Sequence, residues 1–292
     1  MTQQSRSSLQ GMLLVLPVFI VVFVILFLPT VNTIYMSFTD YSLTGSGSNS
    51  WIGLENYRDI FQSGEFIQSL INTLVFTGVT VFLELAFGML LALLLNKLIV
   101  MKNILRTTIL FPWALPTALN AIVWRWLFNT DFGFFNNLLY GLGITSEKIN
   151  WLGDIPLAME SMMIVAIWKT SSFMALILLT GLQTIPDELY EAASIDGAGT
   201  FFRFRTITLP LIVPSILLSL LFRSMDAFRA FELPFALTQG GPAGSTQTLS
   251  LFGYRQFFQF LKFDTGAAVS VVQFIFIFII GLIYLRSFKM EV

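Results

Sequence analysis

The feature that most constrains this chain is a set of six apolar stretches, each close to the length that crosses a bilayer. They lie at about 12–34, 70–95, 108–128, 158–182, 211–232 and 266–285. A membrane-spanning helix needs about 20 mostly apolar residues. The first stretch, GMLLVLPVFIVVFVILFLPTVNTI, and the last, GAAVSVVQFIFIFIIGLIYL, carry no charge. Only 11% of the 292 residues are charged, against roughly 25% in a soluble domain. So small a polar complement cannot cover a globule in water. The chain therefore reads as an all-α membrane protein with six transmembrane helices. The first stretch is too long for the apolar core of a secretory signal and no small-residue cleavage site follows it, so it reads as a retained span.

Composition removes several kinds of chemistry. Cys and His are absent, which excludes disulfides, thiol nucleophiles, most zinc sites and a Ser-His-Asp triad. Catalysis by carboxylates or Lys stays open on composition alone. A net charge of −1 supplies no basic field for nucleic acid. The loops lack like-charge blocks, repeats and long linkers, which predicts one transmembrane domain over 1–292.

Basic residues near span ends set orientation. One side collects Arg6, Lys97, Lys102, Arg106, Arg203, Arg205, Arg286 and Lys289; the other has Arg58, Lys148, Arg255 and Lys262. The excess on the first side predicts that both termini are cytoplasmic. It also places the polar segment 183–210 in the cytoplasm.

That segment contains IPDELYEAASID, a short helix begun by Pro186 and Asp187 with acids in its first turn. Gly197 stands where a helix ends on a positive φ, and Thr200 is placed to cap the next helix, FFRFRTITL. The plain reading is a solvated connection. The alternative is a rigid knob for a cytoplasmic partner, able to pass a push into the spans on either side.

The spacing Glu191-Ala192-Ala193, three residues, Gly197, nine residues, Ile207-x-Leu209-Pro210 resembles the EAA loop of ABC-transporter permease subunits. WIGLENYRDIF at 51–61, NTLVFT at 72–77, LTQGGPAGSTQTL at 237–249 and YRQFF at 254–258 resemble motifs of the carbohydrate-uptake branch, the maltose- and glycerol-phosphate-type permeases. The resemblance implies a type I importer permease fold in the inner membrane, with 183–210 as a cytoplasmic coupling loop. Its helix would sit in a groove of an ATP-binding subunit through Glu191, Ala192, Ala193, Asp196 and Gly197. It further implies two such subunits carrying ATP and Mg, a second permease subunit related to this one but distinct, and an extracytoplasmic solute-binding protein. No G-x-x-x-x-G-K-[ST] occurs here, so the phosphate cradle of an ATPase is not on this chain. The implied activity is import of a small carbohydrate or sugar-like osmolyte by alternating access, with no catalytic residue, metal site or cofactor expected on this chain.

Charge inside a span marks a pathway by default. Glu84 lies in span two, Glu160 and Lys169 in span four, and Arg223, Asp226, Arg229 and Glu232 in span five. Glu160 reads as the outer end of its helix. Glu84 is either a structural hydrogen-bonder to a neighbouring span or a cargo contact. The span-five charges recur every third residue, which suits either an internal salt-bridge ladder or a polar lining. In sugar permeases resembling this chain the cargo pocket lies mid-membrane on the helices flanking the EAA loop. That resemblance points to Trp168, Lys169, Thr170, Phe173, Arg223 and Asp226, with Asn120 and Trp124 in span three as additions. An aromatic face beside hydroxyls and charges suits a sugar, although Trp168 equally suits helix packing. Pro112 and Pro116 predict a kink or break in span three. The competing class is an ion-coupled secondary transporter using Glu84 and Asp226, which leaves the EAA pattern unexplained. A membrane enzyme would need acid and base groups that meet; Glu160 and Lys169 lie on different turns.

Overall fold

The computed structural model describes residues 14–42, 50–97 and 102–289. Arg6 lies outside them, as do the side chains of Lys102, Arg106 and Lys289. The regular secondary structure of the described residues is helical, apart from isolated bridges at Thr39–Trp51 and Ser42–Lys262. In chain order the helices are α1 (Leu14–Met36), α2 (Glu55–Gln62), α3 (Gly64–Lys97), α4 (Lys102–Ala114), α5 (Thr117–Leu127), α6 (Phe134–Gly141) and α7 (Leu157–Leu182). There follow α8 (Asp187–Ile195), α9 (Thr200–Leu211), α10 (Val213–Phe228), α11 (Glu232–Leu237), α12 (Leu249–Phe258) and α13 (Phe263–Lys289).

Among the described residues four helices are long and apolar enough to cross a membrane, and the number is up to six if each of two bent pairs is one span. The bends have local causes. α4 and α5 meet at 93°. Pro116 has no N–H and sits at φ −55, ψ 132, outside the helical region, so the helical ladder stops there. α9 and α10 meet at 65° around Ile212, with Pro214 in the first turn of the new helix. The last span of the pair also ends earlier than the apolar stretch suggests. α10 stops at Phe228, and Glu232 opens the separate helix α11. Arg223, Asp226, Arg229 and Glu232 are therefore not on one continuous helix.

The chain divides into two compact units, Met1–Ser63 with Gly253–Phe274, and Gly64–Phe252 with Ile275–Val292. In the first, the WIGLENY motif secures the turn after α1. Asn56 Nδ2 donates to the Ser37 and Thr39 carbonyls, both at 3.0 Å, and Tyr57 shares a 2.7 Å hydrogen bond with Ser37. Trp51 stacks on Phe38 at 5.2 Å.

The second unit is built on α3, α7 and α10. One buried cluster joins Phe76, Ala121, Trp124, Phe128, Met159, Met162 and Met163 to Leu233 and Leu237. Another joins Ala92, Leu95, Leu178, Leu182 and Ile185 to Ile212. Two sequence motifs meet here. Asn72 Nδ2 donates to the Gly244 and Gln247 carbonyls at 2.8 and 3.0 Å, and Thr73 Oγ1 accepts from Leu249 N at 2.9 Å. The NTLVFT stretch thus holds the 237–249 loop in place.

α3 and α7 approach through small residues, as helices in lipid do. A Cβ on Gly88 would stand 2.6 Å from Met174 Cβ and 3.1 Å from the Ser171 carbonyl. Neither atom is the free end of a flexible chain, so the helices must separate to admit it. We expect Gly88→Ala to destabilise the protein by roughly 1–3 kcal/mol and Gly88→Leu by more. Thermal unfolding in detergent reads this out, and an unchanged Tm for both variants would refute the contact.

Candidate functional site

α8 follows α7 after four residues, with Pro186 as its N-cap and Asp187 and Glu188 in its first turn. Its C-terminus closes through a pair of reverse bonds. Gly197 N donates to the Ser194 carbonyl at 3.1 Å, and Ala198 N donates to the Ala193 carbonyl at 2.8 Å. That pairing needs a left-handed residue at Gly197, whose φ is +78. Thr200 does not cap the next helix. Gly199 occupies the cap, Thr200 is the first helical residue, and no side-chain cap bond forms. The hydroxyl one position further along cannot reach back over the first turn.

One face of α8 is tied down. Tyr190 packs against the cluster around Leu182 and Ile212, and its hydroxyl shares a 2.9 Å hydrogen bond with buried Thr208. Arg203 Nη1 donates to Ser194 Oγ at 2.7 Å. The other face is bare. Glu191, Ala192, Asp196 and Gly197 are exposed, Ala193 is half-buried, and Ile195 is 88% exposed. Tyr190, Ser194 and Arg203 carry the anchoring; the sequence pointed to Arg203 only as a basic residue near a span end and to the other two not at all. The i, i+4 spacing of Tyr190 and Ser194 along one face was the available signal.

A second feature is a cleft of about 470 Å³ bounded by α7, α10 and α11, with Trp113 and Thr117 from the α4–α5 bend. Lys169, Thr170, Arg223 and Asp226 all line it, joined by Arg229 and Glu232. Behind it lies a buried ion network. Glu84 is 0% exposed. Its Oε2 accepts from Arg223 Nε at 2.7 Å and its Oε1 from Arg223 Nη2 at 3.0 Å, and Thr170 Oγ1 donates to Oε1 as well. Arg223, 5% exposed, turns its remaining Nη1 to Asp226 Oδ2. Asp226 Oδ1 takes Arg229 Nη2 at 3.4 Å. The two readings of the span-five charges thus coincide in one structure, an ion-pair ladder whose open end lines a cleft. Such pairing is what permits charge at this depth.

Lys169 satisfies the bend. Its Nζ donates to the Trp113 carbonyl at 2.9 Å, an oxygen left without its helical donor where α4 stops. Broken backbone inside a membrane persists where a neighbour supplies such a partner.

The remaining sequence candidates stand elsewhere. Trp124 is buried, stacked on Phe135 at 5.7 Å and edge-on to Trp168 at 5.4 Å, within the aromatic core. Trp168 is exposed on a face of α7 turned away from Lys169, since successive helical residues point about 100° apart. Phe173 stacks on Trp113 at 5.3 Å, beside the cleft and not on its lining. Asn120 is 2% exposed, and its Nδ2 has no hydrogen-bond partner among the described residues. Glu160 lies in the first turn of α7, exposed.

A membrane protein whose central helices line a polar cleft and also carry a firmly anchored, bare-faced helix has the parts of a transport subunit worked by a partner. The chain belongs to the family of binding-protein-dependent transport system inner membrane components, whose pattern matches residues 84–289. It is a permease subunit of an ABC importer, without an ATPase of its own, and it spans the membrane several times. It is 38% identical to the trehalose/maltose transport system permease protein MalF of Thermococcus litoralis, over 96% of this chain and 94% of that one. It is 40% identical to the sulfoquinovosyl glycerol transport system permease protein SmoG of Agrobacterium fabrum, over 97% of this chain and 91% of that one. Its fold matches a chain of a bacterial ABC transporter involved in the import of the acidic polysaccharide alginate. The TM-score is 0.84 at 25% identity, covering 97% of this chain and 96% of that one. Family membership removes the ion-coupled secondary transporter as a reading.

Proposed function

We propose that the chain admits a small carbohydrate or sugar-like osmolyte through the cleft and that α8 is the coupling helix. Residues 1–292 act as one permease domain, with 183–210 as the coupling segment and both termini in the cytoplasm. Glu191, Ala192, Ala193, Asp196 and Gly197 meet an ATP-binding subunit, two of which carry ATP and Mg. A second permease subunit, related but distinct, completes the pathway, and an extracytoplasmic binding protein delivers cargo.

The observation that carries this reading is that the cleft and α8 share their supports. α7 contributes Lys169 and Thr170 to the cleft and Leu182 to the cluster under Tyr190; α10 contributes Arg223 and Asp226 to the cleft, and its N-cap Ile212 joins that cluster. From Lys169 to Leu182 is about 20 Å of helix at ~1.5 Å per residue. A pull on α8 therefore arrives at the cleft through rigid rods. Further support comes from the relatives, whose names specify trehalose, maltose and sulfoquinovosyl glycerol. Within the cleft, carboxylate and hydroxyl groups stand beside Trp113 and Phe231, a combination suited to a sugar's polar rim and apolar C–H face.

Co-purification with the ATP-binding subunits, followed by ATPase and uptake assays in proteoliposomes with the binding protein and candidate saccharides, tests the assignment. Uptake without nucleotide would overturn it. In the same assay Asp226→Asn removes a charged acceptor worth about 1.5–3 kcal/mol, or tenfold and more in binding. Arg223 keeps Glu84, so the complex assembles. We expect about tenfold less cargo moved per ATP hydrolysed, with stimulation by the binding protein retained. Normal uptake would take Asp226 out of the cargo path.

A further inference from the structure

Glu84 touches no cargo in the reading above, because it is fully buried behind Arg223. The geometry points to Glu84 as a positioning residue for cargo: it holds the Arg223 guanidinium so that Nη1 fixes Asp226 toward the cleft. This rests on the cleft being the cargo path. The arginine fork is planar and rigid. Once Nε and Nη2 are committed to the two Glu84 oxygens, the direction of Nη1 is no longer free. Thr170 Oγ1 fixes Glu84 Oε1 from α7. Three helices, α3, α7 and α10, thereby set the position of one carboxylate. Asp226 needs that help. Its side chain is 56% exposed, and its other partner, Arg229, is 66% exposed at 3.4 Å, too loose and solvated to hold it alone.

The arrangement also balances charge. Glu84 offsets Arg223 and Arg229 offsets Asp226, while Lys169 and Glu232 on the same cleft add one charge of each sign, so the carboxylate offers its free lone pairs to hydroxyl donors within a set of charges that sums to zero. Positioning and packing are separable here, because a buried ion pair replaced by apolar residues of similar volume usually leaves stability intact.

The test is the double variant Glu84→Leu/Arg223→Leu in the full transporter complex, in proteoliposomes with loaded binding protein. The expected result is a complex that assembles; because the double variant also takes Arg223 off the cleft lining, Glu84→Asp, which leaves Arg223 in place, separates the role of Glu84 from the loss of Arg223 itself. Cargo moved per ATP falls about tenfold, as in Asp226→Asn. Cargo per ATP within about twofold of the parent, in an assembled double variant, would overturn the role. Asp226→Asn separates the two claims. If it is also silent, Asp226 is out of the cargo path and the proposal falls with it; if it is impaired while the double variant is normal, only the role of Glu84 has failed. Should the double variant not assemble, Glu84→Asp keeps the charge but withdraws it by about one methylene, ~1.5 Å. It is expected to lower cargo per ATP several-fold, and an assembled Glu84→Asp with unchanged coupling would overturn the proposal. Failure of both to assemble would make the pair a folding requirement and overturn it equally.

Discussion

Gly197→Pro yields a permease that inserts and assembles its membrane core but no longer responds to its ATP-binding partners. The physical reason lies in one turn. Gly197 holds φ +78 and its N–H donates to the Ser194 carbonyl. Proline locks φ near −65° and has no N–H, a conflict that costs about 3 kcal/mol or more where a helical bond is lost. The adjoining bond from Ala198 N to Ala193 O cannot form on the redirected chain. The end of α8 then unravels, and Ile195 and Asp196 leave their places. The core is spared because the other face of α8 packs, through Tyr190, on the cluster that holds Ile185 and Ile212. We expect ATPase stimulation by loaded binding protein to fall by roughly 100-fold, the equivalent of ~3 kcal/mol, with the cleft intact. Gly197→Asn, which tolerates the left-handed region, retains most of the activity. Normal uptake by the proline variant would remove α8 from the coupling role. Its signature is the reverse of Asp226→Asn: the first loses hydrolysis and transport together, the second loses only the cargo.

Glu84→Ala gives the other large effect, this time on assembly. The substitution leaves Arg223 in the middle of a span with its buried counter-charge gone. Breaking one side of a buried pair costs about 3–5 kcal/mol, a large share of the stability of an ordinary domain. Asp226 cannot replace the lost partner. It lies on the same helix, faces the cleft and is already shared with Arg229. Thr170 also loses its link across to α3 and keeps only its bond to the Ala166 carbonyl on its own helix, which loosens α7 from α3. The expected outcome is a steep fall in yield and in Tm measured on detergent-solubilised complex, rescued by adding Arg223→Leu. Equal stability of the single variant and the parent would show that Arg223 finds another counter-charge.

Much of this was legible because it is local. The helix at 187–195 announces itself by Pro186, two acids and a glycine stop, all within reach of one another along the chain. The bend in span three follows from Pro116, while Pro112 is carried inside α4. The docking pattern is a fixed spacing along one strand of sequence, so it survives reading without coordinates. Span five shows the limit. Four charges at every third position look like one helical stripe, but the chain leaves the helix after Phe228 and starts again at Glu232. The apolar count does not register that break, because the residues on either side are equally oily.

The sequence alone determined that this chain lives in lipid, and it marked six stretches long enough to cross and the segment we propose is gripped, since each depends on residues adjacent along the backbone. Only the tertiary structure decided what the charges do. Glu84 and Arg223 are 139 residues apart, Lys169 and the Trp113 carbonyl 56, Asn72 and Gly244 172. Whether such groups pair, line a cleft or sit in the core depends on which helix faces meet, and that is fixed by packing between helices rather than by anything written along one of them.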